Sequence, residues 1–398
     1  MAQQQVCSLP QRIPVPAVTV DVISDPDAFR EYGDKWDRLV ADSGIRHPFA
    51  SHAWLTTWWE HFGAGKTLQV FVARRGRDWL GAAPMMMHTV NMYGVPVRRL
   101  DSIYNYHVPR NEFPVVEQTD DVYEGLWQAI SCKDAPWDAV VLQQFLSDSQ
   151  TLARFRRLAG RNGWLAGDWA AAPSPYIELG CSYDDVVKRL SHNMRQNLRK
   201  RQAKLAEVDT VDIETVSDPS EIPLAIADGF RIEAAAWKGT AGTAIISDPQ
   251  VERFYARLAS RAAELGWVKL IFLRVGGKRI AFNYVLEVAG VLYGLKIGYD
   301  PDYQSYSPGN MLRSLLLKEA CERGCLEYDF LGNPDEWKLA WTRETRLHGW
   351  LFLFRKRPLA RMVYHAKFDL IPAVRRSPRL IKLTNSLLGL VQCSQSND

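Results

Sequence analysis

The sequence predicts an α/β (α+β) protein made of two tandem copies of one unit, each a mixed, mostly antiparallel sheet flanked by helices. Three observations lead there. A chain of 398 residues exceeds what one ordinary core organises. Its 47% hydrophobic and 24% charged residues belong to a folded globular chain and exclude wholesale disorder. The order helix, β-meander, helix, strand also occurs twice.

In the first half, "SHAWLTTWWEHFG" reads as a helix closed by Gly63. "LQVFVARR" and "WLGAAPMMMHTV" read as strands across "GRD", and "VPVRRLDSI" as a third strand after "MYG". "YEGLWQAISC" is then a helix leading into the strand "WDAVVLQQF". In the second half, "VERFYARLASRAAELG" is apolar at helical spacing and closes on Gly266. "WVKLIFLRV", "RIAFNYVLEV" and "VLYGLKIGYD" form a meander through the turns "GGK" and "AG". The loop "SYSPGN", a helix over about 309–323 and the strand "LEYDFLG" follow. "VFVARRGRDWLGAAPM" and "IFLRVGGKRIAFNYV" align by eye, so duplication explains the order better than chance. The expected units are 15–175 and 176–357, followed by a basic amphipathic tail over 358–398.

The halves differ before their second helix. The first has the acidic "RNEFPVVEQTDDVYEG", which repels phosphate. The second has Ser305, Tyr306, Ser307, Gly309 and Asn310, whose hydroxyls and backbone N–H groups suit a phosphate at a helix N-terminus. Any nucleotide-like group is therefore expected in the second half.

The net charge of +4 divides into +7 after residue 354 and −3 before it. Such a tail suits an anionic membrane surface, but Pro372 and Pro378 interrupt it, so docking on its own protein is preferred. The six cysteines are scattered, and Cys321 and Cys325 match neither a zinc pair nor a redox motif. The eight histidines show no metal-binding spacing, and GxSxG is absent, so neither a metal site nor a serine hydrolase is expected. No apolar leader and no run of eighteen apolar residues occurs, which suggests a cytoplasmic protein peripheral to the inner membrane at most. Trp54, Trp58 and Trp59 on one helix are read as core and domain interface.

The stretches "HPFASHAWLTTWWEHFG", "SHNMRQNLRKRQAKL", "EAAAWKGTAGTAI", "IGYDPDYQSYSPGNML" and "EYDFLGNPDEWKLAW" together resemble the CelD-like acetyltransferases of cellulose and exopolysaccharide biosynthesis. These are tandem GNAT folds related to the Fem-type peptidyltransferases. The resemblance implies acyl transfer, most simply from acetyl-CoA or another acyl-CoA, to an amine or hydroxyl of a sugar, amino-sugar or lipid-linked sugar acceptor, without a metal and without DNA. The usual loop of that fold is Gln/Arg-x-x-Gly-x-Gly/Ala. The matching stretch begins here at Tyr306 and keeps only Gly309, so an aminoacyl-tRNA donor stays open, as does a non-catalytic accessory role in a polysaccharide synthase.

Several polar positions follow. Arg195 and Arg199 are either solvated on a linking helix or hold a phosphate by bidentate contacts, with Asn193 and Asn197 beside them. Glu233 lies four residues before Trp237, with Lys238 next; Trp237 and Lys238 are candidates for the acceptor pocket. Asp329 faces away from Tyr328 and Phe330, so a buried carboxylate there needs either a structural partner or a task. The resemblance makes Asp329 the first candidate base, Glu233 the second and Tyr299 the donor of a proton to the thiolate. Lys338 matches a lysine that holds substrate phosphate in the Fem-type proteins.

Overall fold

The computed structural model describes residues 17–116, 119–235 and 244–376. The chain opens with β1 (Thr19–Ile23), α1 (Pro26–Arg30), α2 (Gly33–Asp42) and α3 (His52–Phe62). The first meander is β2 (Thr67–Arg75), β3 (Asp78–Met92) and β4 (Val95–Ser102), then α4 (Asp120–Ser131), β5 (Ala139–Leu146), α5 (Gln150–Arg161), β6 (Leu165–Ala170) and β7 (Ser174–Glu178). After α6 (Tyr183–Arg189) and α7 (His192–Ala206) come β8 (Val211–Val216), α8 (Ile222–Ala235) and α9 (Pro249–Glu264). The second meander is β9 (Val268–Val275), β10 (Lys278–Val288) and β11 (Val291–Tyr299), followed by α10 (Pro308–Glu322), β12 (Glu327–Asp329) and α11 (Glu336–Leu339). The described residues close with β13 (Thr345–Arg346), β14 (His348–Phe354), α12 (Pro358–His365) and α13 (Ile371–Arg376).

The repeat is real in the sheets. The strands run β1-β2-β3-β4-β5-β14-β6 in one sheet and β8-β9-β10-β11-β12-β7-β13 in the other. Each meander is antiparallel, and each ends in one parallel pairing, Asp101 with Val141 and Tyr293 with Asp329. The cause is local. Two-residue glycine turns such as Gly276–Gly277, both at positive φ, close the hairpins. Asp248 caps α9 through the amides of Gln250 and Val251, with Pro249 as its first residue.

The boundaries need correction. The sequence places everything from 176 to 357 in the second unit, but β14 pairs with β5 and β6 of the first sheet, while β7 lies between β12 and β13 of the second. The halves thus exchange a strand, β7 going to the second sheet and β14 to the first, both by antiparallel pairing. A second correction concerns the linking helix. It breaks at Leu190–Ser191, where Ser191 turns extended and its Oγ accepts from the Met194 amide 3.2 Å away to start α7.

A shared core joins the halves. Trp54 and Trp58 are buried with Phe254, Phe230 and Phe282, and Trp54 meets Phe254 edge-on at 5.8 Å. The tryptophans on α3 therefore serve core and interface. Over the described part of the tail, Ala360 and Val363 pack on Phe352 and Phe354 of β14, so α12 docks on its own protein.

Candidate functional site

The main cavity, about 1560 Å³, lies between the halves. The second half lines it with β11, the 305–310 loop, α10 and the 331–338 loop. The first contributes Tyr104, His107, Gln144 and, near its rim, Trp169 and Trp350.

The cleft opens because β11 and β12 separate. They pair only from Val291 with Glu327 to Tyr293 with Asp329, after which β11 continues six residues to Tyr299. Along the same strand the pairing with β10 skips a residue: Val285 faces Gly294 and Tyr284 faces Lys296, leaving Leu295 without a partner across β10. A bulge re-aims backbone groups at that point, and here it faces the cavity. Gly298 is needed at this approach, since a Cβ there would strike the Glu233 backbone.

At the loop, Ser307 has φ +50 and starts α10. The amides of Asn310 and Met311 both turn back to the Ser307 carbonyl, at 2.9 and 3.1 Å, which leaves Gly309 N–H as the one amide of this turn without a backbone partner among the described residues. A Cβ built on Gly309 meets nothing within 4 Å, so the position faces open space. Ser305, Ser307, Gly309 and Asn310 all line the cavity. Tyr306 does not; it packs against the hydrophobic core beside Tyr303. The loop's cation is Arg201, whose Nη1 donates to the Ser305 carbonyl at 3.1 Å and to the Ser307 hydroxyl.

Arg201 takes the place that the sequence suggested for Arg195 and Arg199. Arg195 donates to the Lys188 carbonyl at 3.2 Å, Arg199 is exposed, and neither lines the cavity. Helical phase explains this. Arg201 lies three residues after Leu198 and four before Leu205, the two buried residues of α7, and so shares their side. Trp237 and Lys238 fall outside the described residues.

Asp329 is not free to act as a base. It is fully buried, and its carboxylate accepts from Arg110 Nη2 at 2.8 Å, the Leu331 amide at 2.9 Å, Ser174 Oγ at 3.3 Å and Arg346 Nη1 at 3.4 Å. It ties Arg110 of the first half to the second, and it lines no part of the cavity. Lys338 does line the cavity, but its expected role is corrected. Its ammonium spends its three donors on the Leu331 carbonyl (2.9 Å), the Asn333 carbonyl (2.8 Å) and Asp335 Oδ2 (3.0 Å), leaving none for a phosphate. It staples a loop in which Leu331 and Gly332 both have positive φ.

Glu233 and Tyr299 do line the cavity. The Glu233 carboxylate is buried and accepts from the Ile245 amide at 3.0 Å. Around it stand three residues that the sequence did not reveal. Lys296 lies 4.6 Å over the Tyr255 ring, and burial pushes its pKa down against the opposing pull of Glu233. His107 Nδ1 is 3.1 Å from the Tyr255 hydroxyl, and burial followed by Lys296 pulls its pKa down to about 4. Burial pushes the Tyr255 phenol up. No motif announces this cluster, because His107 comes from the other half of the chain.

Arg313 was missed as well. It is 2% exposed and lines the cavity, with Nε and Nη1 both buried and without a hydrogen-bond partner. Burial pushes its pKa down, and a desolvated guanidinium of this kind costs on the order of several kcal/mol unless something answers it. The signal was present: an arginine among Leu312, Leu316 and Leu317, four residues after Gly309. Among the described residues no group of three or more His, Cys, Asp or Glu is placed to hold a metal, and no helix is long and apolar enough to cross a membrane.

Residues 192–339 match the acetyltransferase (GNAT) domain family, a span that includes the bulged strand, the loop and α10. Among solved structures, the chain is similar to FemX at 11% identity, covering 86% of this chain and 99% of that one with a TM-score of 0.58. It is also similar to the C-terminal domain (DUF2156) of an Agrobacterium fabrum protein described as a putative lysylphosphatidylglycerol synthetase, at 11% identity, 86% and 96% coverage and a TM-score of 0.50. At such identities the likeness is one of fold. No curated protein matches the chain.

Proposed function

We propose that this GNAT-type acyltransferase takes an acyl-CoA in the second half of the cleft and transfers its acyl group to an acceptor lying against the first half. The observation that carries the reading is the opening between β11 and β12, six residues long and bulged at Leu295, beside the start of α10. The pyrophosphate would meet Gly309 N–H and Arg201, with Ser305, Ser307 and Asn310 around it. Backbone N–H from the bulged strand would polarise the thioester carbonyl as charge develops on its oxygen.

The acceptor nitrogen or oxygen attacks the carbonyl carbon, the new C–N or C–O bond forms, and the C–S bond breaks. The acceptor's proton passes to the departing thiolate, through Glu233 or a water it orients and then Tyr299. With Asp329 committed to two arginines, Glu233 becomes the first candidate base. The Lys296 ammonium stands near that carboxylate, whose charge opposes the effect of burial on the lysine.

The proposed acceptor is a sugar or amino-sugar unit of an exopolysaccharide or envelope polysaccharide, free or lipid-linked. Support comes from the first-half wall of the cleft, where Tyr106 is 97% exposed and Trp169 45% exposed beside Tyr104 and Trp350. Exposed aromatic faces ending in polar tips suit sugar rings. Association with the membrane through the basic tail would bring a lipid-linked acceptor within reach.

One observation favours a second donor, aminoacyl-tRNA: the loop offers a single free amide, while Arg199 and Lys200 remain exposed on α7. Titration calorimetry with acetyl-CoA and longer acyl-CoAs, on the wild type and on Gly309→Asp, tests the proposal. Micromolar binding abolished by the added carboxylate supports it. Binding of no acyl-CoA, with steeply salt-dependent binding of charged tRNA, replaces it with the second reading.

A further inference from the structure

Deep in the cleft, Arg313 is a cation that no carboxylate of the described protein answers. The other buried or half-buried guanidiniums around the site have partners: Arg110 has Asp329, Arg346 has Glu327, and Arg279 has Glu214 and Asp228. Arg313 Nε and Nη1 donate to no described group. Aromatic faces hold it instead, with ring centroids 5.5 Å away at Tyr328, 4.8 Å at Phe330 and 4.6 Å at Trp337. Such a cage satisfies the flat faces of a guanidinium and leaves its N–H edges for a planar, bidentate acceptor. The neighbouring Lys338 is already answered by Asp335 and by the Leu331 and Asn333 carbonyls. The charge left without a carboxylate at this aromatic end of the cavity is therefore that of Arg313.

Its place in the fold narrows what would fill it. Tyr328 packs against Arg313, and a Cβ on Gly294 would press on the Tyr328 hydroxyl. Gly294 precedes Leu295, the bulged residue. One tyrosine side chain thus separates the guanidinium from the backbone that would polarise the thioester, so a group bridging the two points is only a few carbons long. A pyrophosphate at Gly309 would lie one helical turn back along α10, about 6 Å.

We propose that Arg313 receives a carboxylate at the far end of the acyl group, making the donor a short dicarboxylic acyl thioester of the malonyl or succinyl class. The inference rests on the acyl-CoA reading above and specifies its acyl chain. The carboxylate is unchanged by transfer: the acyl carbon exchanges sulfur for the acceptor's nitrogen or oxygen, and CoA leaves with the acceptor's proton. The bidentate pair orients the chain so that its carbonyl stays at the bulge.

Calorimetry with CoA, acetyl-CoA, malonyl-CoA and succinyl-CoA tests this on the wild type, Arg313→Met and Arg313→Lys. One of the dicarboxylic esters is expected to bind the wild type at least tenfold more tightly than acetyl-CoA. Arg313→Met brings it down to the acetyl-CoA level, and Arg313→Lys falls between. Thermal unfolding of the wild type gives a readout that needs no variant: at equal concentration the favoured dicarboxylic ester raises Tm further than acetyl-CoA. Equal affinities for all esters overturn the inference and leave the acyl-CoA reading standing. An equal loss of every ester in Arg313→Met also overturns it, as does weakening confined to a phosphorylated sugar acceptor. Binding of no CoA ester removes the acyl-CoA reading and this inference together.

Discussion

In the first half β4 ends at Ser102, one residue beyond its last pairing with β5, whereas in the second β11 runs six residues beyond its last pairing with β12. What fills the first notch is the chain itself. Asn111 bridges to Phe145, and its Nδ2 donates to the Gln143 carbonyl at 3.0 Å, the Ile103 carbonyl at 3.3 Å and Ser102 Oγ at 3.5 Å. Next to it, Arg110 reaches across to Asp329. One unit used twice thus yields a closed copy and an open one, and the closed copy supports the open one through a buried ion pair. A trace of common geometry survives at the notch. Gln144 and Gly332 both have positive φ, each three residues after the last parallel pairing, and both line the cavity. At Gln144 this is strain on the order of 1–3 kcal/mol that glycine avoids.

The contrast breaks most severely at the ion pair. Arg110→Met leaves the fully buried Asp329 carboxylate with the longer Arg346 contact as its one charged partner, beside the neutral Leu331 amide and Ser174 hydroxyl, and is expected to cost about 3 kcal/mol in urea unfolding. Acid comes next. Burial, followed by the Arg110 charge, pulls His47 down from 6.5 to about 3. The unfolded chain therefore takes up this proton first, so stability is complete above pH 6.5 and declines as pH falls toward 3. One such histidine costs about 2 kcal/mol between pH 6.5 and 5, and His47→Gln should flatten that limb of the stability curve by this amount. The smallest effect is at the plug: Asn111→Ala leaves buried carbonyls at the first notch unanswered, costs about 1 kcal/mol, and leaves acyl-CoA affinity unchanged because the open notch is untouched.

The repeat was legible in the sequence because periods of 2 and 3.6 persist in both halves. The helix expected over about 309–323 is Pro308–Glu322, and each strand of the two meanders falls where its apolar run lies. The strand exchange was not legible, since β7 and β14 carry ordinary strand patterns that do not name their partner. The site divided in the same way. Glu233, Tyr299 and four of the five loop residues reach the cavity because they belong to elements that the sequence located. Asp329 was recognised as a buried carboxylate and Lys338 only through the resemblance, and their partners, Arg110 and the 331–335 loop, depend on tertiary packing. Arg201 and Arg313 were readable from helical phase alone, and His107 was not.

The central claim is that only the second notch accepts a donor. Amide hydrogen exchange with and without an acyl-CoA tests it most directly. The account predicts slowed exchange at residues 294–299 and 305–313 and no change across 102–111. Protection at 102–111, or none at either notch under saturating donor, would contradict it.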